Sequence, residues 1–106
     1  EWPEMEPNYI TQKQITAPVA FAQEREKLNG AIVFIPNADP GFDWLFAIPI
    51  AGLITAWGGA NSHMAIRAGE LGLPAVIGAG DILYNRWAQA NRLYVDCAGR
   101  RVETLI

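Results

Sequence analysis

His63 is the only histidine in a chain of 106 residues, and it closes the run Gly58-Gly59-Ala60-Asn61-Ser62-His63. Paired glycines permit positive φ and close backbone approach, and Asn61 or Ser62 is a good N-cap for a helix starting beside His63. The first turn of a helix leaves backbone N–H groups unpaired, and the macrodipole adds its positive end to them, which makes an anion site. The same dipole disfavours imidazolium and so favours the neutral ring, the form that can act as a nucleophile towards phosphorus near neutral pH. A phosphorylated ring would carry about −1.5 to −2 charges, which a helix N-terminus stabilises. Arg67, one turn on, is spaced to pair with that charge.

The elements that must hold this ring are legible on both sides of it. Leu53, Ile54 and Thr55 form a short buried strand leading into the glycine turn. The helix that follows should end near Gly72, a C′-type residue, with Pro74 preventing its continuation, and Ala75 to Ile77 then reads as the next strand. At about 100° per residue, Met64, Ala65, Ala68 and Leu71 gather on one arc, while His63, Arg67 and Glu70 share a polar stripe and Ile66 falls on the flank. Ser62 serves as helix cap, as phosphate ligand, or as both. Thr55 could offer its hydroxyl to phosphoryl oxygens or merely pack. Trp57 is a lid over the site or a surface against which another domain docks. Arg67 and Glu70, at i and i+3, form a solvated pair unless Arg67 is drawn to phosphate.

Thr55, Gly58, Gly59, Ser62, His63, Ala65, Ile66, Ala68, Glu70, Leu71, Gly72, Pro74, Ala75, Val76 and Gly78 fall in a pattern that resembles the phosphohistidine signature of the mobile, or swivelling, domain of PEP-utilising enzymes. That family includes PEP synthase, pyruvate phosphate dikinase, the PTS enzyme I and rifampicin phosphotransferase. The resemblance implies a swivelling β/β/α domain of the α/β class, with layered mixed sheets and helices, over residues 9–106. It implies that His63 carries a phosphoryl group between an ATP-grasp nucleotide-binding domain and a second, PEP/pyruvate-type domain, with Thr55, Gly58, Gly59, Asn61, Ser62 and Arg67 positioning the phosphate. Mg²⁺ and ATP would then belong to the partner domains, with no cofactor held by this one. Two positions depart from the pattern. Asn61 stands where threonine is usual, which removes a hydroxyl beside the ring, and Gly69 replaces the helix arginine, which appears two residues earlier as Arg67.

Length and composition bound the rest. One hundred and six residues with 51% apolar content suit a single domain with its own core. Eight basic residues against eleven acidic ones, with no basic run interleaved with aromatics, argue against nucleic acid as a partner. A lone Cys97 forms no internal disulfide, and with no signal-peptide pattern the expected compartment is the cytoplasm. Pro49, Gly52 and Gly58 interrupt the best apolar run, so no membrane span is expected. The lead Trp2-Pro3-Glu4-Met5-Glu6-Pro7 reads as a linker over residues 1–8.

In chain order, Tyr9 to Ala22 suggests one or two strands broken near Pro18, and Gln23 to Leu28 a loop or short turn closed by Asn29-Gly30. Ala31 to Ile35 is a central buried strand, Asn37 to Gly41 a loop, and Asp43 to Ala47 a short helix. Ala79-Gly80-Asp81 reads as a turn and Ile82 to Ala90 as a short helix or a loop, before a closing hairpin of Arg92–Asp96 and Arg101–Leu105, with hairpin material expected at the N-terminal end too. Asp39, Asp43 and Asp81 lack a spacing that would bring them to His63, so no metal site is expected. No Walker-type loop and no serine–histidine–acid order is present. The expected function is that of a phosphohistidine carrier within a PEP-utilising phosphotransferase, inert on its own. The alternative is a non-catalytic module that keeps the fold and uses the anion site for binding or interdomain regulation.

Overall fold

A computed structural model describes residues 6–105 as a mixed α/β domain. Its strands are β1 (Asn8–Ile10), β2 (Gln14–Phe21), β3 (Ile32–Asn37), β4 (Gly52–Trp57), β5 (Ala75–Ile77), β6 (Arg92–Asp96) and β7 (Arg101–Leu105), with helices α1 (His63–Leu71) and α2 (Gly80–Ala88). Two 3₁₀ segments, Arg25–Lys27 and Pro40–Ala47, complete the elements. The sheet order is β1-β5-β4-β3-β2-β6-β7. Strands β3, β4 and β5 run parallel, as β2 does to β3, and the outer pairs β1–β5, β2–β6 and β6–β7 are antiparallel.

Period-two alternation along the central strands decides which face each side chain takes. Val33 and Ile35 of β3 point into a cluster with Leu45, Leu53, Met64, Ala65, Ala68 and Ile77, under α1 and the 40–47 segment. Ile32 and Phe34 point the other way, into a cluster with Ile54, Val76, Trp87, Leu93 and Val95. The strands between the two clusters are covered on both faces and therefore read as continuous apolar runs rather than alternating ones.

The structure amends several expectations. Strand β2 runs through Pro18 unbroken, because that residue sits where the strand changes partners. Gln14 to Pro18 pair with β6, and Val19 to Phe21 pair with β3. A proline lacks the donor a continuous ladder needs, and a change of ladder is where its absence is tolerated. Among the described residues no N-terminal hairpin forms, since β1 pairs with β5 at the far edge, where the Asn8 side chain donates to the Ile77 carbonyl at 3.1 Å. Of the linker expected over 1–8, residues 1–5 lie outside the described residues and Asn8 is already in a strand. Helix α2 forms from Gly80, earlier than expected, and buries Trp87 while leaving Ile82 exposed. On α1, Met64, Ala65 and Ala68 are buried, but Leu71 is 52% exposed, because it lies in the last turn next to the Gly72 cap, beyond the covered part of the face. Among the described residues no helix is long and apolar enough to cross a membrane.

Candidate functional site

Helix α1 begins where the sequence places it. Ser62 has extended backbone angles, and its Oγ accepts the N–H of Ala65 at 3.3 Å, so it is the N-cap. Gly72 closes the helix in the left-handed conformation at φ 68°, and its N–H reaches the Ala68 and Gly69 carbonyls. His63 is thus the first helical residue, and its side chain is 42% exposed. The N–H groups of this first turn have no carbonyl one turn earlier to bond. Ser62 N–H is already committed to the Gly59 carbonyl at 3.0 Å, so the turn leading to the helix is closed on itself.

The glycine turn is fixed by a buried hydroxyl. Thr55, fully buried in β4, donates from Oγ1 to the Trp57 carbonyl at 2.9 Å and accepts the N–H of Gly78 at 3.0 Å. Its hydroxyl therefore joins the end of β4 to the end of β5, with both hydrogen bonds made inside the fold. Gly58 follows at φ 130°, where a Cβ would come within 2.5 Å of the Ala38 Cβ. At Gly59, by contrast, a Cβ would meet only the Asn61 backbone nitrogen, at an ordinary 4.0 Å, and Asn61 is exposed. Trp57 is 43% exposed beside this turn.

The structure corrects the expectation for Asp43. Its Oδ1 lies 2.7 Å from His63 Nε2, although twenty residues separate the two in sequence. Topology brings them together: β3 and β4 are adjacent and parallel, with Asn37 opposite Trp57, so the segments leaving their carboxyl ends emerge side by side. Functional loops of parallel sheets gather at that edge for this reason. Asp43 follows β3 and His63 follows β4. Both segments lie over the cluster that holds Leu45 and Met64.

Arg67 completes a small charge group. Its Nε is 3.6 Å from Asp43 Oδ1, its Nη1 is 3.7 Å from Glu70 Oε1, and its guanidinium carbon lies 5.6 Å from the centre of the Phe46 ring. The expected pair with Glu70 forms, and Asp43 is a second partner. The hydrogen bond with the His63 ring, helped by the charges of His63 and Arg67, holds the Asp43 carboxyl below its ordinary range. Near neutral pH Asp43 is therefore an anion and can only accept, so in the neutral ring the proton sits on Nε2 and the free lone pair on Nδ1. Sequence spacing could not show Asp43; what carries it is strand order, which sets the segment after β3 beside the one after β4.

Of the residues expected at the site, His63, Ser62 and Arg67 lie together at the start of α1, Gly58 and Gly59 shape the approach, and Thr55 sits beneath as a clip. Asp39 instead caps the 40–47 segment, accepting the N–H of Gly41 at 2.8 Å. Among the described residues no group of three or more His, Cys, Asp and Glu side chains is arranged to share a metal ion.

The sequence is similar to those of known proteins. The family model for the mobile domain of PEP-utilising enzymes matches residues 27–99. Rifampicin phosphotransferase of Bacillus cereus is 46% identical over 50 residues, covering 47% of this chain and 6% of that protein. Phosphoenolpyruvate synthase of Aeropyrum pernix is 41% identical over 61 residues, covering 57% of this chain and 7% of that protein. The chain therefore spans a small fraction of the length of either relative.

Proposed function

Since this chain belongs to the family of PEP-utilising enzyme mobile domains, we propose that it is a phosphohistidine carrier in which His63 relays a phosphoryl group between two active sites of a larger phosphotransferase. The observation behind this reading is a half-exposed imidazole on the first residue of a capped helix, beside unpaired N–H donors and one arginine. In the first half-reaction a ring nitrogen's lone pair forms an N–P bond while the donor's bond to phosphorus breaks and its electron pair leaves with the donor. In the second, an acceptor oxygen takes the phosphorus and the pair returns to the ring. Phosphoryl transfer asks mainly for positioning and charge. The first-turn N–H groups of α1 and the Arg67 guanidinium supply the charge for the equatorial oxygens, the Thr55 clip fixes the turn, and the buried Met64, Ala65 and Ala68 hold the helix on the sheet.

The donor and acceptor sites are taken to lie on other domains, an ATP-grasp domain with its Mg²⁺ and ATP and a PEP/pyruvate-type domain, and the names of the two relatives favour a phosphotransferase of this kind. In this reading the chain alone turns nothing over. The experiment is phosphate analysis of the parent protein after ATP or PEP: acid-labile, base-stable phosphate on His63 is expected, and uptake that persists in His63→Ala would sink the reading.

A second reading, a module that binds anions or regulates neighbouring domains without transfer, is favoured by one observation: Nε2 of His63 is already held by a carboxylate. Intact mass separates the two, since this module would bind phosphate or PEP with no covalent gain.

A further inference from the structure

The 2.7 Å contact between Asp43 and His63 has the length of a charge-assisted hydrogen bond. Several features show that it is built into the fold. Asp43 belongs to the 40–47 segment, which is capped at one end by Asp39 and closed at the other by the Ile48 N–H bonded to the Leu45 carbonyl at 3.0 Å. Leu45 is fully buried in the core beneath, and the Arg25 guanidinium stacks 3.9 Å from the centre of the Trp44 ring. The carboxylate is thus delivered to the ring by a segment anchored on both sides of it.

A carboxylate at this place is at odds with an incoming phosphoryl group. It covers one of the two ring nitrogens, sets a negative charge where a second one must arrive, and engages Arg67 at 3.6 Å. We propose that Asp43 is a latch on His63: in the resting chain it masks the Nε2 edge, leaves Nδ1 as the nitrogen with the free lone pair, and must be displaced before Nε2 can accept a phosphoryl group. This rests on the carrier reading and adds a positioning residue to it. Displacement does two things at once, since it frees Nε2 and releases Arg67 towards the phosphoryl oxygens. A carrier latched in this way keeps Nε2, but not Nδ1, from free phosphoryl donors, and a docking domain that contacts the 40–47 segment opens it.

The test uses phosphoramidate, a small donor that needs no partner domain, on the chain as it stands. An imidazole lone pair forms the N–P bond, the donor's own P–N bond breaks, and ammonia leaves with that electron pair and a proton. His63 is the only histidine, so uptake reports one ring, and ³¹P NMR resolves the Nδ1 from the Nε2 phospho-isomer. Wild type is expected to react slowly and mainly at Nδ1. Asp43→Ala should shift the product to the Nε2 isomer and raise the initial rate by roughly twofold to fivefold, the scale of an exposed pair. Asp43→Asn, which removes the charge but keeps the shape, should move both readouts the same way and stands in if the alanine variant folds poorly. Equal rates and isomer ratios in wild type and both variants would overturn the latch, as would absence of uptake in all three, because removing the carboxylate would then unmask nothing. Loss of the carrier reading shows separately, as His63-independent phosphate in the parent protein.

Discussion

Gly58 and Gly78 face each other across the carboxyl ends of β4 and β5, so closely that a Cβ on Gly78 would run into the Gly58 carbonyl oxygen. Gly78 also adopts φ 77°, and its N–H is the one the Thr55 hydroxyl accepts. The turn before His63 is therefore set by a contact only glycine allows, on each of two neighbouring strands.

Substitution at that contact should be costly in a position-dependent way. Gly58→Ala combines a left-handed φ with a 2.5 Å clash against Ala38 and should lower stability by about 2–4 kcal/mol. Gly59→Ala, one residue on, makes only an ordinary contact with the Asn61 backbone nitrogen and should change it by less than about 0.5 kcal/mol. Urea titrations of the two variants compare them directly, and equal midpoints would contradict this account of the turn.

Thr55 tests the clip. Thr55→Val keeps the shape but leaves the buried Gly78 N–H without its acceptor and the Trp57 carbonyl without a donor, a loss of about 1–3 kcal/mol. Thr55→Ser retains the hydroxyl and should recover most of it. Thermal denaturation of the pair measures the difference.

Ser62 has two possible roles that one variant separates. As a cap alone, Ser62→Ala should cost about 1 kcal/mol and leave the rate of His63 phosphorylation within twofold of wild type. If the hydroxyl also contacts phosphate, the rate falls by more than that while the stability loss stays the same. Melting temperature and phosphate uptake, measured on the same preparation, decide between them.

Asp43 gives a signed pH dependence. Its folded carboxyl lies below the ordinary 3.8, chiefly through the hydrogen bond with His63, so the pair's stabilisation is complete above that ordinary value and is lost as pH falls through the lowered one. Wild type should therefore exceed Asp43→Asn in stability near neutral pH and lose that lead in acid. Denaturant midpoints of both proteins across an acid series show it, and a lead that grows in acid would reverse the sign.

Cys97 offers a check on the opposite face. It is 3% exposed, with Sγ 3.8 Å from the Ala75 carbonyl, and burial pushes its thiol above the ordinary 9.0. A thiol reagent at pH 8 should label it slowly in the folded chain and promptly once denaturant unfolds the domain. Fast labelling of the native protein would show that this cluster opens.

Much of the site was legible because its information is local. The cap at Ser62, the stop at Gly72 and the glycine turn depend on residues within a few positions of one another, and α1 begins and ends where they direct. Asp43 was not legible, because its approach to His63 is a property of strand order: only once β3 and β4 are known to be parallel neighbours do the segments behind them meet. Pro18 was misread for a related reason, since a strand that serves two ladders can lack a donor where it changes between them. Leu71 fell on the apolar arc by angle, yet the wheel says nothing of where the covered length of a helix ends. The extent of α2 was open in sequence because, of its nine residues, only Trp87 is buried.

Strand β2 joins the β6–β7 ribbon through Gln14 to Pro18 and the parallel layer through Val19 to Phe21, in one unbroken run of eight residues. One continuous backbone therefore ties the two ladders together, and a displacement of one is passed to the other. The helix that bears His63 rests on that parallel layer and so shares one frame with the ribbon at the far edge.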